Sequence, residues 1–234
     1  MAFRKIAGAA GLGVTVLILT VNILLGATGR TLGETPLEDI VGFFSDYGWA
    51  VSLISAIAPV VWVLMAIFAV GIVTATRDRA GQLNPWALVG LVGIAMQNVV
   101  FGRAIAADVV LVNTDNLAAK PDSTLMLWDQ HTVAMTMNHV SIGIAILGFG
   151  IAATASGLLP MWTRPVALVG SAVLIVSAAT VSFAVDSDIP PIGVPGVFIW
   201  LAWIVYAAVR LLRHEDCTAT EPATASLHMA SRGV

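Results

Sequence analysis

Apolar and polar positions in this chain separate into long blocks. Six nearly uninterrupted hydrophobic stretches, 6–27, 49–75, 86–112, 131–155, 165–185 and 196–212, are divided by short connectors rich in Gly, Pro, Asp and Arg. Each block is close to the roughly 20 residues that a helix needs to cross a bilayer core. Lipid offers no hydrogen bonds to a backbone, so spanning segments are helices or closed barrels, and barrel strands alternate apolar with polar residues. The run 60–73 does not alternate. The pattern therefore predicts an all-α polytopic membrane protein: a six-transmembrane-helix bundle over 1–213, followed by a Thr-, Ala- and Ser-rich tail, 214–234, whose composition predicts a disordered cytoplasmic segment. A basic start before an apolar stretch also describes a signal peptide, but 6–27 is longer than the usual apolar region and ends in the poor cleavage sequence Gly26-Ala27-Thr28. It reads as a retained anchor.

The connectors carry local signals. Thr35-Pro36-Leu37-Glu38 has the form of a capping box with Pro at the first helical position, and Leu37, Ile40, Val41 and Phe44 follow on one face. That predicts a short external amphipathic helix over the bundle mouth. Asn84-Pro85 and Thr163-Arg164-Pro165 resemble helix starts capped by Asn84 and Thr163. Pro59, with Ser52, Ser55 and Ala56 on the same side, suggests a kinked second span with a close-packed small face.

Composition and charge add orientation. Of 234 residues 58% are hydrophobic and 11% charged, and the mean hydropathy is +0.92. A soluble domain of this size could not hide so much apolar surface. Arg4, Lys5, Arg77, Arg79, Arg164, Arg210 and Arg213 fall on one side if the spans are even in number. The positive-inside rule makes that side cytoplasmic, which places both termini inside a bacterial inner membrane. Glu34, Glu38, Asp39, Asp46, Asp115, Asp122, Asp186 and Asp188 fall opposite. Trp49, Trp86, Trp128 and Trp162 mark span ends, as an aromatic belt would. The single cysteine, Cys217, lies in the tail, so no intramolecular disulfide forms.

Candidate chemistry sits where polar residues enter the spans, because each is costly there without a partner. The third span holds Gln97, Asn98 and Arg103 and ends near Asp108, which is turned about 140° from Arg103 and so makes a poor partner for it. Asp129, Asp186 or Asp46 would serve better. In the fourth span Trp128, His131, Met135, Asn138 and His139 share roughly 100° of arc. The last four of these, with Arg103 and Asp129, compose the candidate ligand-binding set: Arg103, Asp129, His131, Met135, Asn138 and His139. Two His and one Met on one helix are too few for a metal site. Gly8, Gly11 and Gly13 follow no strand, which excludes a dinucleotide fingerprint, and neither Lys5 nor Lys120 lies inside a span to carry retinal. No cofactor, nucleic-acid partner or catalytic motif is expected.

Arg4-Lys5-Ile6-Ala7-Gly8, Phe101-Gly102-Arg103-Ala104-Ile105, Ser156-Gly157-Leu158-Leu159-Pro160, and Pro195 with Trp200, Trp203 and Arg210 together resemble a bacterial family of six-helix membrane proteins, domain of unknown function 4386. Ala106 stands where that family tends to place an acid, and Met161 where it tends to place Arg. The resemblance implies the architecture and no particular activity. Two functional classes follow from the residues. One is a non-enzymatic protein that binds, senses or passes a small polar solute through an outward-side pocket between the third and fourth helices. The alternative is a non-catalytic accessory subunit that meets a membrane protein partner.

Overall fold

A computed structural model describes residues 2–29, 35–78, 80–181 and 192–213. The tail 214–234, Arg79 and the connector with Asp186 and Asp188 lie outside the described residues. Six α-helices lie among the described residues: α1 (Ala2–Ala27), α2 (Leu37–Ala75), α3 (Pro85–Val112), α4 (Pro121–Ala155), α5 (Thr163–Ala179) and α6 (Val194–Arg213). A single 3₁₀ turn, Leu117–Ala119, precedes α4. Five of the helices are long and apolar enough to cross a membrane, while α5 is shorter at 17 residues. The protein is a helical membrane bundle, as the hydropathy blocks predicted. Each helix packs on its chain neighbours, and α6 returns to α1, closing a ring.

Two helices overrun their predicted spans. α2 has 39 residues and α4 has 35, so at 1.5 Å per residue they reach about 50–60 Å, against a hydrocarbon core of about 30 Å. The amphipathic segment expected as a separate helix over the mouth is helical, but it is the unbroken first part of α2. Its apolar face is satisfied by the extension of α4: Ile40 and Phe44 pack with Val51, Leu111, Leu117 and Trp128. Thr124, in the first turn of α4, donates its hydroxyl to Leu117 O at 3.1 Å and ties the 3₁₀ turn beneath. Both extensions project from the same end of the bundle and meet there as an aromatic cap.

Other local expectations divide. Asn84 caps α3, its side chain accepting from the Trp86 amide at 2.9 Å with Pro85 behind it. Thr163 does not cap α5; Trp162 holds that position, and the Thr163 hydroxyl donates to Pro160 O at 2.8 Å. The cap of α2 is Pro36, without a side-chain bond. The Ser52, Ala56 and Pro59 face is exposed rather than close-packed, and the Ser52 and Ser55 hydroxyls bond back to Gly48 O and Val51 O within the helix. Trp49, Trp86 and Trp162 are exposed, but Trp128 is only 2% exposed and belongs to the cap rather than to a belt.

Close packing concentrates at the opposite end, where α1 and α3 begin. Every buried residue of α1 lies between Ala7 and Thr15, and that part has small residues facing its neighbours. A side chain at Gly8 would stand 2.7 Å from Leu212 Cγ, and one at Gly11 would overlap the Phe68 ring and reach 3.0 Å from Ala208 Cβ. The α3–α4 seam is closer still: at Gly93 a Cβ would come to 2.8 Å from both Ala145 Cα and Ser141 O. Small residues that let backbones touch supply the van der Waals packing that drives helix association in lipid. Trp203 stacks between Phe149 and Trp200, with centroids at 6.2 and 5.6 Å. Arg210 donates from Nε to Leu158 O at 3.1 Å and holds the α4–α5 connector to α6.

Candidate functional site

Between the packed end and the aromatic cap the helices part around a cavity of about 320 Å³, lined by α1, α2, α3, α4 and α6. From α4 come Thr132, Met135, Thr136, Asn138 and His139, spaced at three and four residues so that they share one inward face. α3 presents Gln97, Asn98 and Phe101 opposite, and α2 contributes Ala58, Trp62 and Met65. Leu19 and Asn22 of α1 and Phe198 and Trp200 of α6 complete the wall. Such a volume is at the lower end of the range for small-molecule sites.

The lining is mostly apolar, yet five of its residues carry a buried polar atom that the protein does not satisfy. Trp62 Nε1, Gln97 Oε1, Thr132 Oγ1, Asn138 Oδ1 and Trp200 Nε1 are all buried with no hydrogen-bond partner. Buried polar groups are nearly always paired, because an orphan costs about 1–3 kcal/mol. All five belong to residues that line the cavity, although the atoms themselves have almost no accessible surface. His139 is held differently: its Nδ1 lies 3.0 Å from Ser177 Oγ of α5. Gly193, just before α6, permits that arrangement, since a side chain there would collide with the His139 ring and stand 2.7 Å from Ser177 Oγ.

The sequence-derived set is only partly gathered here. Met135, Asn138 and His139 line the cavity. His131 is buried on the same helix but engages α3: its Nδ1 lies 3.1 Å from Asp108 Oδ1 and 3.3 Å from Ala104 O, with the ring stacked on Trp128 at 6.2 Å. Arg103 and Asp129 are both exposed and stand apart from the cavity. Neither makes an ion pair among the described residues, and Asp46 is likewise exposed. Asp186, a further candidate partner of Arg103, lies outside the described residues. Arg103 is therefore a surface residue of α3.

Sequence reasoning missed two groups. Asp108 was weighed only against Arg103, although it sits near the same end of α3 as His131 does of α4, and matching depths on antiparallel neighbours would have paired them. Trp62 and Thr132 give no signal, because a lone indole or hydroxyl in an apolar run is ordinary, and Trp200 enters only through the family resemblance. Among the described residues no three His, Cys, Asp or Glu side chains converge as a metal-binding group would.

Fold and cavity together define a multi-pass helical membrane protein with an internal, ligand-sized chamber. Comparison with family models, with curated proteins and with solved structures returns no match.

Proposed function

We propose that this protein binds a small molecule within the membrane, in the chamber between α1, α2, α3, α4 and α6, and that sensing or passing that molecule is its role. One observation carries the reading: a cavity of about 320 Å³ between five helices, lined among others by Gln97, Asn98, Thr132, Asn138 and His139, where Gln97, Thr132 and Asn138 each keep a buried polar atom that bonds no other helix. A bundle whose polar residues served only as interhelical glue would have bonded them to each other. The site is wider than a pocket between α3 and α4 alone, and Arg103 takes no part in it. The distribution of Lys and Arg supports a bacterial inner-membrane location with both termini cytoplasmic, which puts the chamber in the outer half of the bilayer. The sequence likeness to domain of unknown function 4386 remains part of the same proposal and supplies architecture only.

Native mass spectrometry of the protein released from mild detergent tests it. The wild type should retain a bound mass that Ala58→Phe, which fills the chamber from α2, expels. If Ala58→Phe does not assemble, Ile57→Trp on the same wall replaces it. Equal bound mass in wild type and filled variant would refute the chamber as the site.

A further inference from the structure

Resting on that reading, we infer that the molecule held in the chamber is a small hydroxylated aromatic, its ring laid against Trp62 and Phe101 and its hydroxyl bonded to Nε2 of His139. The first support is how the protein uses its own rings. Among the described residues, the aromatic side chains that are not exposed meet another ring in the cap, in the stack around Trp203, or at Tyr206. Two do not: Trp62 of α2 and Phe101 of α3, and both line the chamber.

Both are half-buried, so each keeps surface that a molecule can cover. The Trp62 nitrogen is sealed, and what that side chain offers is ring carbon. Their positions are held from behind. The two rings rest on the cluster of Ile54, Ala58 and Ile105, and the benzo edge of Trp62 reaches across to α3, where a side chain at Gly102 would stand 3.5 Å from Cη2. A ligand ring set against them gains the edge-on or offset attraction of an aromatic pair, which a saturated ring of the same shape does not.

The second support is the imidazole in the lining. His139 is half-buried, and its Nδ1 is engaged 3.0 Å from Ser177 Oγ. Its Nε2 makes no hydrogen bond among the described residues and, unlike Oδ1 of the neighbouring Asn138, is not sealed. In a neutral imidazole one nitrogen donates and the other accepts, and the Ser177 hydroxyl can serve either tautomer. A ligand hydroxyl both donates and accepts, so it completes His139 in either state, whereas an ether or a bare carbonyl completes only one. Ser177, on α5 and outside the lining, is the positioning residue: it occupies Nδ1 and leaves Nε2 for the ligand. Depth agrees. Phe101 stands sixteen residues from Pro85 in α3 and His139 sixteen from Ala155 in α4, so at 1.5 Å per residue both lie about 24 Å from the packed end. Trp62, thirteen residues from Ala75 in α2, lies at about 20 Å. One small molecule can reach all three.

Unfolding midpoints of the full-length protein in mild detergent, followed by circular dichroism, would be measured with three probes at equal mole fraction in the micelle: 2-naphthol, its saturated analogue decahydro-2-naphthol, and naphthalene. A ligand that binds only the folded state raises the midpoint with concentration, and the affinity follows from that dependence. The first should bind tightest, the second more weakly for want of a π face, and the third more weakly for want of a hydroxyl. Trp62→Leu and Phe101→Leu should each weaken 2-naphthol roughly two- to tenfold, the worth of one aromatic pair, and weaken the saturated analogue less. His139→Phe should erase the advantage of 2-naphthol over naphthalene; Ser177→Ala should narrow that advantage and Ser177→Thr restore it. Either comparison probe held as tightly as 2-naphthol would overturn the class, and this ranking in the wild type decides even where a variant does not fold. Indifference of 2-naphthol to both ring substitutions, or a shift that persists in Ala58→Phe, would overturn it as well. Should no probe move the midpoint while the wild type still carries a mass that Ala58→Phe expels, the class is wrong and the chamber reading survives. If no mass and no probe binds, both fall.

Discussion

The seam between α3 and α4 gives the sharpest quantitative expectation, because Gly93 meets backbone rather than flexible side chains. Its α-carbon lies so close to α4 that an added methyl would stand 2.8 Å from Ala145 Cα and from Ser141 O, where ordinary contacts begin at 3.4 Å. Neither neighbour can swing aside, so Gly93→Ala must part the helices by roughly 1 Å locally, which forfeits a quarter to a half of the dispersion well at each facing atom pair. Over about 30 such pairs at 0.1–0.2 kcal/mol each, the loss is about 1–2 kcal/mol. Direct overlap adds to it, within the range of about 1–3 kcal/mol typical of overpacked cores. Alanine's better helix propensity offsets at most about 1 kcal/mol. The expected net loss is therefore about 1–3 kcal/mol, measured as a lowered midpoint in sodium dodecyl sulfate titration of mixed micelles, followed by circular dichroism. Gly42→Ala is the matched control. Nothing lies within 4 Å of its added methyl, so its midpoint should stay or rise. The seam also sets the position of Gln97 and Asn138, so any bound mass should fall in step. A Gly93→Ala midpoint equal to that of the wild type would refute the close-packed seam.

Three further expectations follow from the site. Asp108→Ala and His131→Phe each strip one partner from the buried pair and should cost about 1–3 kcal/mol apiece, with the double variant losing clearly less than the two combined; strict additivity in a double-mutant cycle would mean the two do not interact. Arg103→Ala should change stability by no more than about 0.5 kcal/mol, as for an exposed side chain away from any network, and a loss of several kcal/mol would reveal a buried partner. For topology, a cysteine introduced at Asn116 should react with an impermeant thiol reagent in intact cells while Cys217 stays protected, and the reverse pattern would invert the proposed orientation.

The bundle itself was legible because hydropathy needs no tertiary knowledge: block length alone predicts six helices, and among the described residues five are long enough to span while α5 is shorter. Boundaries were legible only where chemistry is local, as at Asn84. They failed where a partner decides. The α2 and α4 extensions look like loops or surface helices until each supplies the other's apolar face, and Trp128 reads as a belt residue until Phe43 and Phe44 pack edge-on around it. The candidate site divided on the same line. Angular projection put Met135, Asn138 and His139 on one inward face of α4, and that geometry belongs to the helix alone. It could not say that α3 would present Asp108 to His131, or that Arg103 would turn outward, since both depend on how a second helix is rotated.

The distribution of packing along the bundle bears on how the chamber would work. At one end, glycine contacts and the Phe149, Trp203 and Trp200 stack leave no room for a solute to continue inward. At the other, the Ile40, Phe44, Leu111 and Trp128 cluster covers the axis. A passage straight through would require both clusters of buried side chains to open. Packed interfaces have discrete arrangements rather than soft ones. Beyond Thr15 the second half of α1 has no fully buried residue and supplies none to either of those clusters, packing only partly, through Val21, Leu24 and Leu25, on the cluster of Ile54, Ala58 and Ile105. Exchange by displacement of α1 therefore needs the least disruption, and it delivers a molecule to and from the bilayer rather than across it. That favours sensing or handling of a lipid-dissolved compound over channel-like conduction, and it locates the moving part where it can be tested: restraining α1 against α6 should arrest exchange while leaving the bound state intact.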